Sequence, residues 1–98
     1  MDQVGRNGKR LTPMAPRTEP QPGLGGAIRQ LRTERGMSQE ELGHRSGVHP
    51  TWISHLESGR NNPAWGSVRR IAAALEVPLW ELAKLAEELE LGQASQSS

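Results

Sequence analysis

The chain has 98 residues, with 12 Lys+Arg against 11 Asp+Glu for a formal net charge of +1, and 34% hydrophobic residues. That length holds one small domain and is too short for a large enzyme with a deep pocket. No run approaches the ~18 apolar residues of a membrane span. With no cysteine, there is no disulfide framework, no Cys-ligated zinc and no thiol catalysis. No apolar signal-peptide core follows the N-terminus, so a cytoplasmic location is expected.

Residues 1–23 contain Pro13, Pro16, Pro20 and Pro22, and their apolar residues are scattered. Such a stretch cannot bury enough to offset its ordering entropy, which predicts a disordered, mildly basic arm. Residues 24–90 carry helical periodicity and no strand alternation, and 91–98 read as a flexible polar tail. Charge is graded along the chain. Seven Arg face four Glu over 24–75, whereas Lys84 alone faces Glu76, Glu81, Glu87, Glu88 and Glu90 beyond. The part up to residue 75 attracts a polyanion and the C-terminal part repels one.

Five helices are predicted in order. The first spans about Leu24 to Arg35, with Leu24, Ile28 and Leu31 on one face and Gly36 at its end. The second starts at Ser38, where Ser38 and Glu41 have capping-box spacing, and stops at Gly47. The third follows His49, with Pro50 at the first helical position, Ile53 and Leu56 as its apolar pair, and Gly59 closing it. Asn61, Asn62 and Pro63 form a loop. The fourth covers about Ala64 to Leu75 through Val68, Ile71, Ala72 and Leu75. The fifth runs from near Pro78 to about Glu90 through Leu79, Leu82, Ala86 and Leu89.

The second and third predicted helices, joined by Gly47-Val48-His49, form a helix-turn-helix. Gly47 permits positive φ in the turn. Gly43 is small enough for the second helix to pass close beneath the third. Val48, Ile53 and Leu56 fill the wedge, which leaves the outer face of the third helix free for a DNA major groove.

The segment SQEELGHRSGVHPTWISHLESGRNNP, with LGGAIRQLRTERGMSQEELG before it and VRRIAAALEVPLWEL after it, resembles the XRE-type, lambda-repressor-like (Cro/cI) helix-turn-helix domains. The likeness runs from about Leu24 to Leu82. It implies an all-α, compact five-helix lambda-repressor-like bundle, commonly a homodimer on a palindromic operator. It places Gln39 at a phosphate-holding position. Pro50, Thr51, Ser54 and His55 fall where the recognition helix faces base edges, and Arg60, Asn61 and Asn62 fall where a loop meets the DNA backbone. Arg32 and Glu57 match a buried ion pair between the first and third helices. The chain departs from the family at Gly43, where Ala is usual, and at Ser46, where an apolar residue is common. Ala64 and Pro78 stand where Ser or Thr often starts a helix, and Pro50 offers no hydrogen-bonding side chain.

Other residues have plainer readings. Trp52 is expected partly buried against a neighbouring helix or packed on sugar–phosphate. His44, His49 and His55 lie five and six apart, which is not a helical ligand pair, so no metal is expected. Arg29, Arg35, Arg69 and Arg70 read as a solvated face or as phosphate contacts. Arg6, Lys9 and Arg10 read as a solvated tail or as an arm along DNA. Trp80, Leu85 and Leu89 exceed what one face of the fifth helix needs, which predicts a homodimer surface.

These readings add up to a sequence-specific, double-stranded-DNA-binding transcriptional regulator with no cofactor and no small-molecule ligand. An antitoxin or a restriction–modification controller of the same fold is the nearest alternative. A protein-interaction module that has lost DNA binding is the next. No phosphate loop or nucleophile–base pair supports an enzyme.

Overall fold

The computed structural model describes residues 19–97 and forms five helices: α1 (Pro22–Glu34), α2 (Gln39–Ser46), α3 (Pro50–Glu57), α4 (Trp65–Ala74) and α5 (Leu79–Ser97). No strand occurs among the described residues. Residues 1–18 of the expected arm lie outside them.

The packing follows from where each helix is apolar. α1 lies against α5 and α3, α2 against α3 and α4, and α4 touches α5. Ile28, Leu42, Ile53, Ile71, Leu75 and Leu82, one or two from each helix or its cap, are fully buried and meet in a single core. Membrane-crossing is not available to these helices: none is long and apolar enough.

Two boundaries differ from the periodicity reading. α1 starts at Pro22, two residues before Leu24, because proline needs no donor at the first helical position. The backbone N–H of Gln21 then donates to the Gly59 carbonyl at 3.0 Å, tying the start of α1 to the end of α3. At the other end α5 continues to Ser97 rather than ending near Glu90. Residues 91–97 are therefore helical, not a frayed tail. Gly92 weakens helix propensity there most, and with no proline in the stretch nothing forbids helical φ.

The chain leaves three helices by one device. A residue in the left-handed region follows the helix, and the next residue is apolar and buried. Gly36 (φ 67°) precedes Met37, Gly47 (φ 74°) precedes Val48, and Glu76 (φ 61°) precedes Val77. Met37, Val48 and Val77 each donate to the carbonyl five residues back, those of Arg32, Gly43 and Ala72. The end of α3 differs: Gly59 (φ 79°) is followed by exposed Arg60, and the chain turns outward.

Glu76 is the one non-glycine residue in this region among those described, and its carboxylate also sits at the negative end of the α4 dipole. Replacing it with glycine relieves both costs. Glu76→Gly is expected to stabilise the domain by about 0.5–1 kcal/mol, read as a rise of a few degrees in thermal melting. An unchanged or lowered melting temperature would contradict this.

Helix ends also show where local chemistry departs from the motif. The Ser38 hydroxyl accepts from the Glu41 N–H at 2.9 Å. The reciprocal half of the capping box is not made, because the Glu41 carboxylate turns to Arg45 at 2.6 Å, one helical turn on. Ser46, in a slot where the family often has an apolar residue, is buried. Its hydroxyl bonds locally, donating to the Gly43 carbonyl and accepting from the Val48 N–H.

Candidate nucleic-acid interface

α2 and α3 hold the helix-turn-helix in a close approach. A Cβ built on Gly43 would lie 2.6 Å from the Val48 carbonyl oxygen and 3.1 Å from the Pro50 ring. The departure from alanine at Gly43 therefore lets the turn sit directly on α2.

α3 is anchored from below by Ile53 and Leu56, both buried, and Thr51, Trp52 and Ser54 face solvent. His55 and Pro50 are half-buried. Sequence reading missed the device that starts this helix: the His49 ring caps it, with Nδ1 accepting from the Thr51 N–H at 3.1 Å. The signal was present in the composition of the turn, since a ring nitrogen just before a proline-led helix can serve as Ser or Asp does elsewhere.

Trp52 is more exposed than expected, at 54%. Its ring meets His55 edge-on, with centroids 6.0 Å apart and planes at 72°. Both rings therefore belong to the outer side of α3, and Trp52 helps line an open cleft of about 580 Å³ with His49, Asn61, Asn62, Pro63 and Arg70.

Behind this face lies the ion pair expected from the family likeness. Arg32 of α1 grips Glu57 of α3 with two donors, Nε to Oε2 at 2.5 Å and Nη2 to Oε1 at 2.9 Å. Its third nitrogen, Nη1, donates to the Met37 carbonyl at 2.7 Å. The side chains are 12% and 4% exposed. The hydrogen bond to Glu57 raises the Arg32 pKa above its ordinary value against the opposing effect of burial. A raised folded-state pKa on a base stabilises the fold below the unfolded value and loses that contribution only as pH climbs through the raised one. The pair therefore stays intact across the neutral range.

Gln39 joins the same network. Its Nε2 donates to Glu57 Oε1 at 2.9 Å, which fixes the amide at the first residue of α2, beside α3. Arg29, Arg32, Gln39, Ser54, Glu57 and Ser58 line one polar hollow. Gln39, Ser54 and the exposed Arg29 are thus brought together, although α1, α2 and α3 are far apart in the chain. At the other end of α3, Arg60 Nε donates to the Ser58 hydroxyl at 3.0 Å, and that hydroxyl donates to the His55 carbonyl at 2.7 Å. Asn61 and Asn62 are half-buried in the loop that follows. Arg70 lines the cleft, and its Nη2 lies 3.3 Å from the Ser67 hydroxyl. No group of three or more His, Asp or Glu poised for a metal occurs among the described residues.

The expected dimer residues separate. Leu85 and Leu89 pack on the core beside α1, where Leu89 would be 3.2 Å from a Cβ on Gly26. They share a side of α5 with buried Leu82, so the surplus of apolar residues is partly used within the chain. Trp80 points away, 66% exposed.

Five helices among the described residues, a glycine turn between the second and third, and a third helix with one anchored and one free face define a helix-turn-helix protein. A helix-turn-helix domain model matches residues 24–85. An HTH-type transcriptional regulator of Sinorhizobium fredii is 38% identical over 69 residues, covering 70% of this chain and 90% of that one. Among solved structures, the clp gene regulator ClgR of Corynebacterium glutamicum superposes with a TM-score of 0.76 at 30% identity, over 81% of this chain and 86% of that one. The restriction–modification controller protein C.AhdI of Aeromonas hydrophila gives 0.61 at 33% identity, over 62% and 92%. The chain belongs to the helix-turn-helix domain family, as an XRE-type transcriptional regulator with the lambda-repressor-like fold.

Proposed function

We propose that this regulator reads double-stranded DNA sequence with α3 in the major groove, acting in the cytoplasm and not as an enzyme. The observation that carries the reading is the outward face of α3, where Thr51 and Ser54 are exposed and His55 is half-buried. Thr51 offers a methyl to thymine or a hydroxyl to several bases, and His55 donates or accepts. Pro50 contributes shape alone. Gln39, Arg60, Asn61 and Asn62 hold backbone phosphates and fix register. Gln39 suits that role because its position is set by Glu57.

The protein acts as a homodimer on an inverted repeat, with its two recognition helices one DNA turn apart, about 34 Å. Selection from random duplex DNA at moderate salt tests this directly. An enriched inverted repeat is expected; weak, salt-sensitive binding without enrichment would refute it. On the selected site, Thr51→Ala or His55→Ala is expected to cost about 1–3 kcal/mol of specific binding per lost base contact, with folding unchanged. Gln39→Ala is expected to weaken binding similarly for every sequence. A shift in sequence preference on that variant would contradict the phosphate role.

The likeness to C.AhdI favours a second reading of the same interface, control of a restriction–modification system. An adjacent methyltransferase and endonuclease gene pair would support it.

A further inference from the structure

The open cleft beside α3 is bounded by the turn before that helix, by α3 itself, by the loop after it and by α4. Its volume of about 580 Å³ falls in the range of small-molecule sites. Buried Val48 and Leu56 and half-buried Pro63 supply apolar lining. The Trp52 ring, 54% exposed, adds an aromatic surface.

The polar lining is of one kind. No Asp or Glu lines the cleft. Arg70 has no carboxylate within ion-pair distance among the described residues. Its Nη2 lies 3.3 Å from the Ser67 hydroxyl, a neutral neighbour that orients the guanidinium and leaves its charge unmatched. His49 Nδ1 already accepts from the Thr51 N–H, so the neutral ring carries its proton on Nε2 and can only donate there. The half-buried Asn61 and Asn62 amides add further donors.

This combination selects a ligand. Apolar lining beside an exposed indole takes a flat ring. An unmatched guanidinium among neutral donors takes a carboxylate, gripped by two nitrogens. We propose that the cleft binds a small aromatic carboxylate, its ring against Trp52 and its charge on Arg70. The residue pattern led to no such expectation because no local motif encodes the site. It is assembled from four segments of the chain between Gly47 and Arg70. Occupancy also regulates DNA binding, a step that rests on the function proposed above. Asn61 and Asn62 line the cleft and are the residues assigned there to backbone phosphates, so ligand and DNA compete for them.

Titration of the full chain with 2-naphthoate, followed by NMR, tests the site without DNA. The three tryptophans give three indole N–H signals, each assigned by substitution with phenylalanine. The Trp52 signal is expected to shift and saturate with a dissociation constant of about 1 mM, the scale for a ligand of this size. Trp65 and Trp80 do not line the cleft and are expected to stay in place. Arg70→Gln removes the charge from an exposed position and keeps the fold; Ser67→Leu fills the cleft. Each is expected to weaken binding at least tenfold. The uncharged 2-naphthamide is expected to shift Trp52 at least fivefold less at matched concentration, and inorganic phosphate not to displace 2-naphthoate. An unmoved Trp52, equal shifts of all three indoles, unaltered binding by Arg70→Gln, an equal response to the amide, or displacement by phosphate would each overturn the site.

A duplex selected by the protein then tests the competition. At constant ionic strength, 2-naphthoate at ten times its dissociation constant is expected to lower DNA affinity about tenfold. Unchanged DNA affinity with Trp52 saturated would overturn the competition and keep the DNA reading. A protein that binds 2-naphthoate at Trp52 yet enriches no DNA would lose the DNA reading and keep the cleft.

Discussion

Glu57→Ala is expected to destabilise the domain by about 3–5 kcal/mol, because it strands the Arg32 guanidinium in a site that is 12% exposed. The cost comes less from the attraction lost than from the charge left behind. Arg32 would keep its bond to the Met37 carbonyl but lose the two-pronged contact that offsets its dehydration. Denaturant unfolding measures the effect, and a loss below about 1 kcal/mol would mean that water replaces Glu57 without difficulty. A second variant separates stability from positioning. Arg32→Met combined with Glu57→Leu removes both charges and fills similar space, which commonly restores most of the stability. It also deprives the Gln39 amide of its acceptor. The double variant is therefore expected to fold well and still bind DNA more weakly at all sequences. Recovery of both properties would show that Gln39 needs no anchor.

That network marks the limit of what the residue pattern alone conveys. Periodicity and glycine placement locate four of the five helix ends to within a residue or two, since Gly36, Gly47 and Gly59 occupy backbone positions that other residues rarely adopt. The fourth end, at Glu76, uses the same conformation without the residue that advertises it. The Arg32–Glu57 pair spans 25 residues, and no local spacing reveals it; likeness to a known family does. Gln39 was legible as a polar residue at a helix start, but its bond to Glu57 depends on how α2 is set against α3. The same holds for α5. Its apolar surplus is visible in the sequence, yet which part faces α1 and which part faces out depends on the helix rotation. That rotation is decided by Leu82 seating in the core. Trp52 shows the same limit: whether its ring turns inward or outward depends on Ile53 and Leu56, which already occupy the inward side of α3.

Gly25→Ala is the second change expected to be severe, about 3 kcal/mol or more, although alanine favours a helix over glycine by about 1 kcal/mol. The reason is backbone proximity. A Cβ at this position would stand 2.1 Å from the Leu56 carbonyl oxygen and 3.1 Å from both the Glu57 carbonyl oxygen and the Gly59 amide nitrogen. These atoms form the last turn of α3 and its exit, and no side-chain rotation relieves the clash. α1 would have to withdraw from α3, and it cannot do so freely. It is held to the same turn by the Gln21–Gly59 hydrogen bond and by the Arg32–Glu57 pair. Withdrawal would loosen the end of α3 that carries Glu57, and through it the anchor of Gln39. Gly66→Ala supplies the control. It adds the same methyl to a helix where the nearest atom beyond the local backbone is the flexible Arg70 tip at 3.7 Å. That variant is expected to gain about 0.5–1 kcal/mol from helix propensity. Opposite signs for the two substitutions in one melting series would establish that the α1–α3 contact, rather than glycine content, sets the geometry beneath the recognition helix. A Gly25→Ala protein as stable as wild type would show that α1 withdraws from α3 without cost.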